Sequence, residues 1–202
     1  GVDSCLIFCY VSGEIRVWIF GGLTMTEEKT RIHTRISPET EQKIAAAMPF
    51  SNCRSQNEFV EKAREADGFV FATPVYYAHP SGRIFSFLDR AFYSNGRAGM
   101  PDAFRFKPGA SVAVARRGGI SASFDALNKY FGISQMPVAG STYWNMVHGN
   151  TPDEVRHDLE GMQVMRTLGR NMAWLLKCIE IGRAAGITTP EPEPPVRTNF
   201  IL

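Results

Sequence analysis

A doubly wound α/β fold, with a parallel sheet covered by helices on both faces, is predicted by three features of this 202-residue chain. From residue 65 onward, short apolar runs alternate with longer stretches of helical periodicity. The runs at 69–72 and 110–115 are continuously apolar, as strands buried on both faces must be. Gly, Pro and Ser punctuate the chain after each run. Right-handed crossovers then bring all the strand-end loops to one edge of the sheet, the edge where open α/β sheets bind ligands.

The elements follow in order. A strand over 67–73 runs into Pro74, Val75, Tyr76, Tyr77 and His79, then into a helix over 81–94 with Ile84, Phe85, Phe87, Leu88 and Phe92 at helical spacing. Residues 95–108 form a polar loop. A second buried strand, 110–115, ends at Arg116-Arg117-Gly118-Gly119. The helix after it spans 121–131, with Ser121 or Ser123 as N-cap. A third strand over 136–141 leads to Tyr143-Trp144-Asn145. Thr151 then caps a long helix with Pro152 at its first position and Asp153 and Glu154 in its first turn. That helix is expected to reach 182 or 186, and the Pro-rich tail 188–202 is expected to be extended. The loops 73–80, 116–121 and 142–149 would share one sheet edge.

The first part reads differently. Residues 5–11 and 15–20 form two strands joined at Ser12-Gly13-Glu14, a hairpin. Over 30–36, Arg31, His33 and Arg35 alternate with Ile32, Thr34 and Ile36. Ser37 and Pro38 start a helix to about 48. Ser55, with Glu58 as capping-box partner, starts another through 65.

Composition narrows the function. A hydrophobic fraction of 44% supports one full core. A net charge of +2 makes no electrostatic case for nucleic acid. No apolar run is long enough to span a bilayer, and the start lacks a basic signal region, so a cytoplasmic protein without membrane association is expected. Cys5, Cys9, Cys53 and Cys178 form no C-x-x-C pair and read as free thiols. There is no P-loop, no H-E-x-x-H and no G-x-S-x-G elbow. His148 and His157 have no partners at metal-ligand spacing and read as structural, so no metal site is expected. Met162, Met165, Met172, Trp174 and Leu175 read as packing residues of the last helix. Aromatic rings and free backbone groups in the loop after the first of these buried strands suit a flat heterocycle better than a metal or a nucleophilic reaction.

From about residue 57 to the end, the chain resembles the flavodoxin-like family of NADPH-dependent FMN reductases. The resemblance rests on Glu65-Ala-Asp-Gly-Phe-Val-Phe-Ala-Thr-Pro-Val-Tyr-Tyr77, Ser81-Gly82, Phe87-Leu-Asp-Arg90, Ala115-Arg-Arg-Gly-Gly119, Asn128-Lys-Tyr-Phe131, Ser134-Gln-Met-Pro137 and Tyr143-Trp-Asn-Met-Val-His-Gly149. It implies a flavodoxin-like doubly wound sheet with an atypical N-terminal segment. It also implies FMN as cofactor, NADPH or NADH as reductant, a small-molecule electron acceptor or partner protein, and a homodimer. The flavin ring would lie on Thr73, Pro74, Val75, Tyr76, Tyr77 and His79, with further contacts from Arg116, Arg117, Gly118 and Gly119. Tyr76 and Tyr77 would stack on the ring. An arginine near its pyrimidine edge would stabilise the negative charge of the reduced form. No side chain is needed as acid or base, so no catalytic residue is assigned. The phosphate loop that opens this family has no counterpart here. The nearest segment, Val11-Ser12-Gly13-Glu14, is followed by no helix and carries an acid.

Residues 25–64 resemble instead a ribbon-helix-helix DNA-binding module, in which Arg31, His33 and Arg35 would read bases from a two-stranded ribbon shared by a dimer. This divides the chain into a strand pair (1–24), a ribbon-helix-helix-like segment (25–64) and a flavodoxin-like domain (65–202). The alternative function is a dimeric DNA-binding regulator, or a fusion with impaired flavin binding.

Overall fold

The computed structural model describes residues 5–11, 14–20, 27–31, 53–95, 102–198 and 200, with the backbone alone for 5–11, 14–20, 27–31 and 53–58. The strands are β1 (Cys5–Val11), β2 (Glu14–Phe20), β3 (Glu27–Arg31), β4 (Gly68–Tyr76), β5 (His79–Pro80), β6 (Gly109–Ala115) and β7 (Met146–His148). The helices are α1 (Cys53–Glu65), α2 (Gly82–Asn95), α3 (Ile120–Ile133), α4 (Pro152–His157) and α5 (Leu159–Ala184). The sheet order is β3-β2-β1-β4-β6-β7, and β5 folds back on β4.

The predicted parallel sheet is present in β4, β6 and β7. Along β4 and β6, successive side chains face opposite layers. Phe69 and Phe71 pack with α1, α2 and α3 through Phe59, Phe87, Leu88, Leu127 and Phe131. Ala72, Ala110 and Val112 pack with Leu168, Met172 and Leu176 of α5 on the other face. Burial on both sides explains why these strands show no polar alternation. The aromatic side of the core is tightly stacked: the ring centroids of Phe92 and Phe104 are 4.0 Å apart, and those of Phe71 and Phe131 are 5.6 Å apart. Lys107 closes the end of α1, donating to the carbonyls of Ala63 and Arg64 at 2.8 and 2.9 Å. A cation there also opposes the negative end of the helix dipole.

The amino-terminal strands form the predicted hairpin, with Val11 opposite Glu14. They join the same sheet, but β1 runs antiparallel to β4. β3 pairs with β2 of its own chain, where a ribbon-helix-helix dimer would pair that strand with its copy in a second chain. Arg31 ends β3. His33, Arg35 and the helix expected from Ser37 lie outside the described residues.

Four boundaries differ from the sequence reading. α1 begins at Cys53, so Ser55 lies inside the helix and is not its N-cap. α3 is capped by Gly119 in the left-handed conformation. Ser123, one expected cap, instead turns its hydroxyl back to the Gly119 carbonyl at 2.9 Å, and Ser121 lies within the helix. The third strand is at 146–148, not 136–141. Val138 makes one bridge to Gly109, the chain leaves the sheet, and Met146 rejoins it opposite Ala113. The chain advances eight positions from Val138 to Met146 while β6 advances four, so the excess is expelled as a bulge (138→146 against 109→113). Thr151 and Pro152 start a helix as expected, but it stops at His157, and Asp158 caps a second one, α5. The described residues from Thr188 onward have no regular secondary structure. Among the described residues, no helix is long and apolar enough to cross a membrane.

Candidate functional site

At the carboxyl end of β4 the chain reverses immediately. Tyr76 pairs with His79 across a two-residue turn made by Tyr77 and Ala78. Both turn residues have positive φ, 50° and 62°. A two-residue hairpin of this kind favours Asn-Gly, because side chains resist that region. Two such residues store roughly 1 kcal/mol or more each. The turn is held from below. Thr73 is buried, and its Oγ1 accepts the Ser81 N–H at 3.0 Å and donates to the Pro74 carbonyl at 2.9 Å. With its hydroxyl used in this way, Thr73 supports the loop and does not project from it. Tyr77 is wholly exposed, Tyr76 is 44% exposed, and His79 is exposed beside them.

The loop after β6 leans against this turn. Arg116, Arg117 and Gly118 are exposed, and Gly119 adopts φ 90° at the start of α3. A Cβ on Gly119 would lie 2.5 Å from the Cα of Ala78 and 3.0 Å from Cγ1 of Val75. Only glycine allows both the conformation and the approach. A Cβ on Gly118 would meet nothing within 4 Å, so the backbone there borders open space. Val75 and Pro74 are half-buried, and Val75 packs against Ala113, Ala115 and Ile120, fastening the β4 loop to β6. The sequence does not single out Ala78. Its only signal is a small residue between Tyr77 and His79.

The third loop takes another position. Tyr143 and Trp144, edge to face at 4.6 Å, belong to the bulge before β7, not to a loop beyond it. Both are about half exposed. Asn145 is buried, and neither polar atom of its amide has a hydrogen-bond partner. His148 does reach the carboxyl edge, opposite Ala115. Its N–H donates to Oδ2 of Asp158 at 2.7 Å, and its ring Nδ1 lies 3.6 Å from the same oxygen. The other Asp158 oxygen accepts the Gly161 N–H at 2.9 Å. Burial pushes the Asp158 carboxyl up. The N–H groups of Gly161 and His148 and the His148 charge outweigh this and hold it below the usual carboxylate range. Tyr143, His148, Asp158 and Gly161 border a cleft of about 340 Å³. His157 bonds the Asp153 carbonyl at 2.8 Å, in keeping with a structural role.

The fit to FMN divides the same way. The β4 and β6 loops offer exposed tyrosines, two exposed guanidinium groups and a bare glycine backbone on one shelf, a set suited to a flat heterocycle carrying negative charge. The segment nearest in sequence to a phosphate loop is on the wrong side. Tyr10 stands opposite Gly68 and Leu6 opposite Ala72, so Val11 and Glu14 lie at the amino edge of β4, away from this shelf. Among the described residues the ring half fits, and Val11 and Glu14 cannot serve the other half.

The family model for NADPH-dependent FMN reductase matches residues 33–151. The chain is similar to an iron-sulfur flavoprotein of Methanocaldococcus jannaschii, 30% identical over 61% of this chain and 66% of the relative. It is also similar to an iron-sulfur flavoprotein of Methanosarcina thermophila, 25% identical over 70% of this chain and 78% of that protein. The chain thus spans just under two thirds of the first relative's length. Among solved structures, the Trp repressor binding protein of Bacillus subtilis superposes with a TM-score of 0.51 at 20% identity, over 56% of this chain and 75% of that one. RosB, solved with 8-demethyl-8-formylriboflavin-5'-phosphate, superposes with a TM-score of 0.50 at 16% identity, over 73% of this chain and 66% of that one. These two likenesses bear on the fold alone.

Proposed function

Because the chain belongs to the NADPH-dependent FMN reductase family, we propose that it is a flavin-dependent oxidoreductase, passing electrons from NADPH or NADH through FMN to a small acceptor. The bound flavin supplies the redox chemistry, accepting a hydride and releasing electrons. The protein's own part is to bind, orient and tune. Tyr76 and Tyr77 provide flat apolar surface for the ring. Gly118 and Gly119 let the backbone approach its edge. Arg116 and Arg117 supply positive charge where electron density rises on reduction. Val75, Thr73 and the Gly119–Ala78 contact keep these groups in one arrangement, so little ordering is left to be done on binding.

The observation that carries the reading is the convergence of the β4 and β6 loops at Gly119 and Ala78, within the span that the family model matches. The test is to load the protein with FMN, add NADPH without oxygen, and follow the flavin's visible absorbance. Bleaching that returns when a quinone or oxygen is added supports the proposal. A protein that binds no FMN at micromolar concentrations contradicts it. Tyr76→Ala should weaken FMN binding by about tenfold, the equivalent of about 1.4 kcal/mol. Tyr143→Ala, in the bulge, should leave it nearly unchanged. Equal titration curves for the two variants would count against the assigned shelf.

A further inference from the structure

FMN ends in a phosphate monoester, nearly a dianion at neutral pH. Such a group needs cationic or N–H partners on the protein. Strand direction excludes the segment nearest in sequence to a phosphate loop, since Val11 and Glu14 stand at the amino edge of β4. The carboxyl edge, by contrast, carries uncompensated positive charge. Arg116 and Arg117 are adjacent and exposed, and among the described residues neither has a hydrogen bond or an ion pair. Two neighbouring guanidinium groups without a counter-charge repel one another, and a bound anion relieves that repulsion.

The pair also stands in the right place. Arg116 follows Ala115, the last residue of β6, and Gly118 and Gly119 come directly after Arg117. The approach of Gly119 to Ala78 ties this loop to the tyrosine turn. A flavin's ribityl chain leaves the ring at N10, beside the pyrimidine edge, so positive charge placed for that edge also lies near the start of the chain. Two long side chains at adjacent positions can divide the work, one guanidinium at the ring edge and its neighbour at the phosphate. The planar fork of arginine suits phosphate because it meets two oxygens at once. Room is present as well, since a Cβ on Gly118 would meet nothing within 4 Å. Gly119 caps α3 and has no side chain to bond the first-turn N–H groups, which adds to the local positive potential. Arg83 is exposed too, but it lies in the first turn of α2, beyond the hairpin and outside the contact between the two loops.

We propose that Arg116 and Arg117 clamp the FMN phosphate, in place of a loop after β1. The inference rests on the flavin reading and concerns how the chain tells FMN from riboflavin, which has the same ring and no phosphate. Four forms of the full chain are titrated with both flavins by fluorescence: native, Arg116→Ala with Arg117→Ala, Arg116→Lys with Arg117→Lys, and Arg83→Ala. The native chain should bind FMN at least about tenfold more tightly than riboflavin, the scale of a hydrogen bond to a charged group. In the alanine variant FMN should fall to the affinity of riboflavin, while riboflavin itself changes little. Lysines should restore part of the preference, because they keep the charge and lose the fork. Added salt should erode it in the native chain. Thermal midpoints should not move, because neither arginine has a partner to lose. Equal affinities for the two flavins in the native chain, a preference that survives in the alanine variant, or one removed by Arg83→Ala would overturn the proposal and leave the flavin reading standing. A native chain that binds neither flavin would sink both.

Discussion

Gly119 sits where two conditions coincide: a left-handed backbone and a neighbour too close for any side chain. Gly119→Ala must therefore push the β4 and β6 loops apart, and it should lower FMN affinity by tenfold or more. Gly132→Ala, in the last turn of α3 and not on the shelf, meets nothing within 4 Å and should bind FMN like the native protein. Fluorescence titration of both variants checks the contrast. Asp158 works at the other end of the carboxyl edge, capping α5 and fixing His148 with one carboxylate. Asp158→Ala should cost about 1 kcal/mol at neutral pH, the usual worth of a cap. Its folded value is depressed, so the stabilisation is complete above the unfolded carboxylate value of about 4 and fades as pH falls through the folded one. Urea midpoints of native and variant proteins should differ at pH 7 and converge in acid. A difference that persists unchanged in acid would remove the charge from the explanation.

At the scale of elements, the centre of the molecule was readable from residue types and the joints were not. β4, β6, α2 and α3 appear within two or three residues of where apolar periodicity puts them, because burial on two faces writes an unambiguous pattern. Phe71 shows why. It is fully buried and stacks on Phe131. Phe71→Ala should destabilise the fold by about 3–5 kcal/mol in chemical denaturation, whereas Phe85→Ala, at a half-buried position on α2, should cost clearly less. The third strand was misplaced because 136–139 and 146–148 are both short and apolar. Only the pairing to Gly109 and Ala113 decides that the chain leaves the sheet between them. The break at His157 was missed for a related reason. Asp158 looks like an ordinary polar residue within a helix until the His148 and Gly161 N–H groups converge on it. Ala78 and the positive φ of Tyr77 likewise depend on a contact from a loop about forty positions away.

On the scale of the whole molecule, two kinds of sheet are joined. The parallel half, β4, β6 and β7, carries the shelf. The antiparallel half, β1 to β3, extends the sheet beyond β4. The family match starts at residue 33, so β1 to β3 precede it. The direction of β1 could not be read from its composition, yet it decides which loop can serve the shelf, because reversing one strand moves its ends to opposite edges. The ring loops, by contrast, were legible as a Pro- and Tyr-rich turn and an Arg-Arg-Gly-Gly turn after apolar strands. The most direct test of the flavin shelf is a titration of the full chain with FMN, with Gly119→Ala in parallel. A working shelf binds one FMN per native chain, quenched on binding, and loses at least tenfold in affinity in the variant. Native and variant chains that bind FMN equally, or a native chain that binds none, would contradict it.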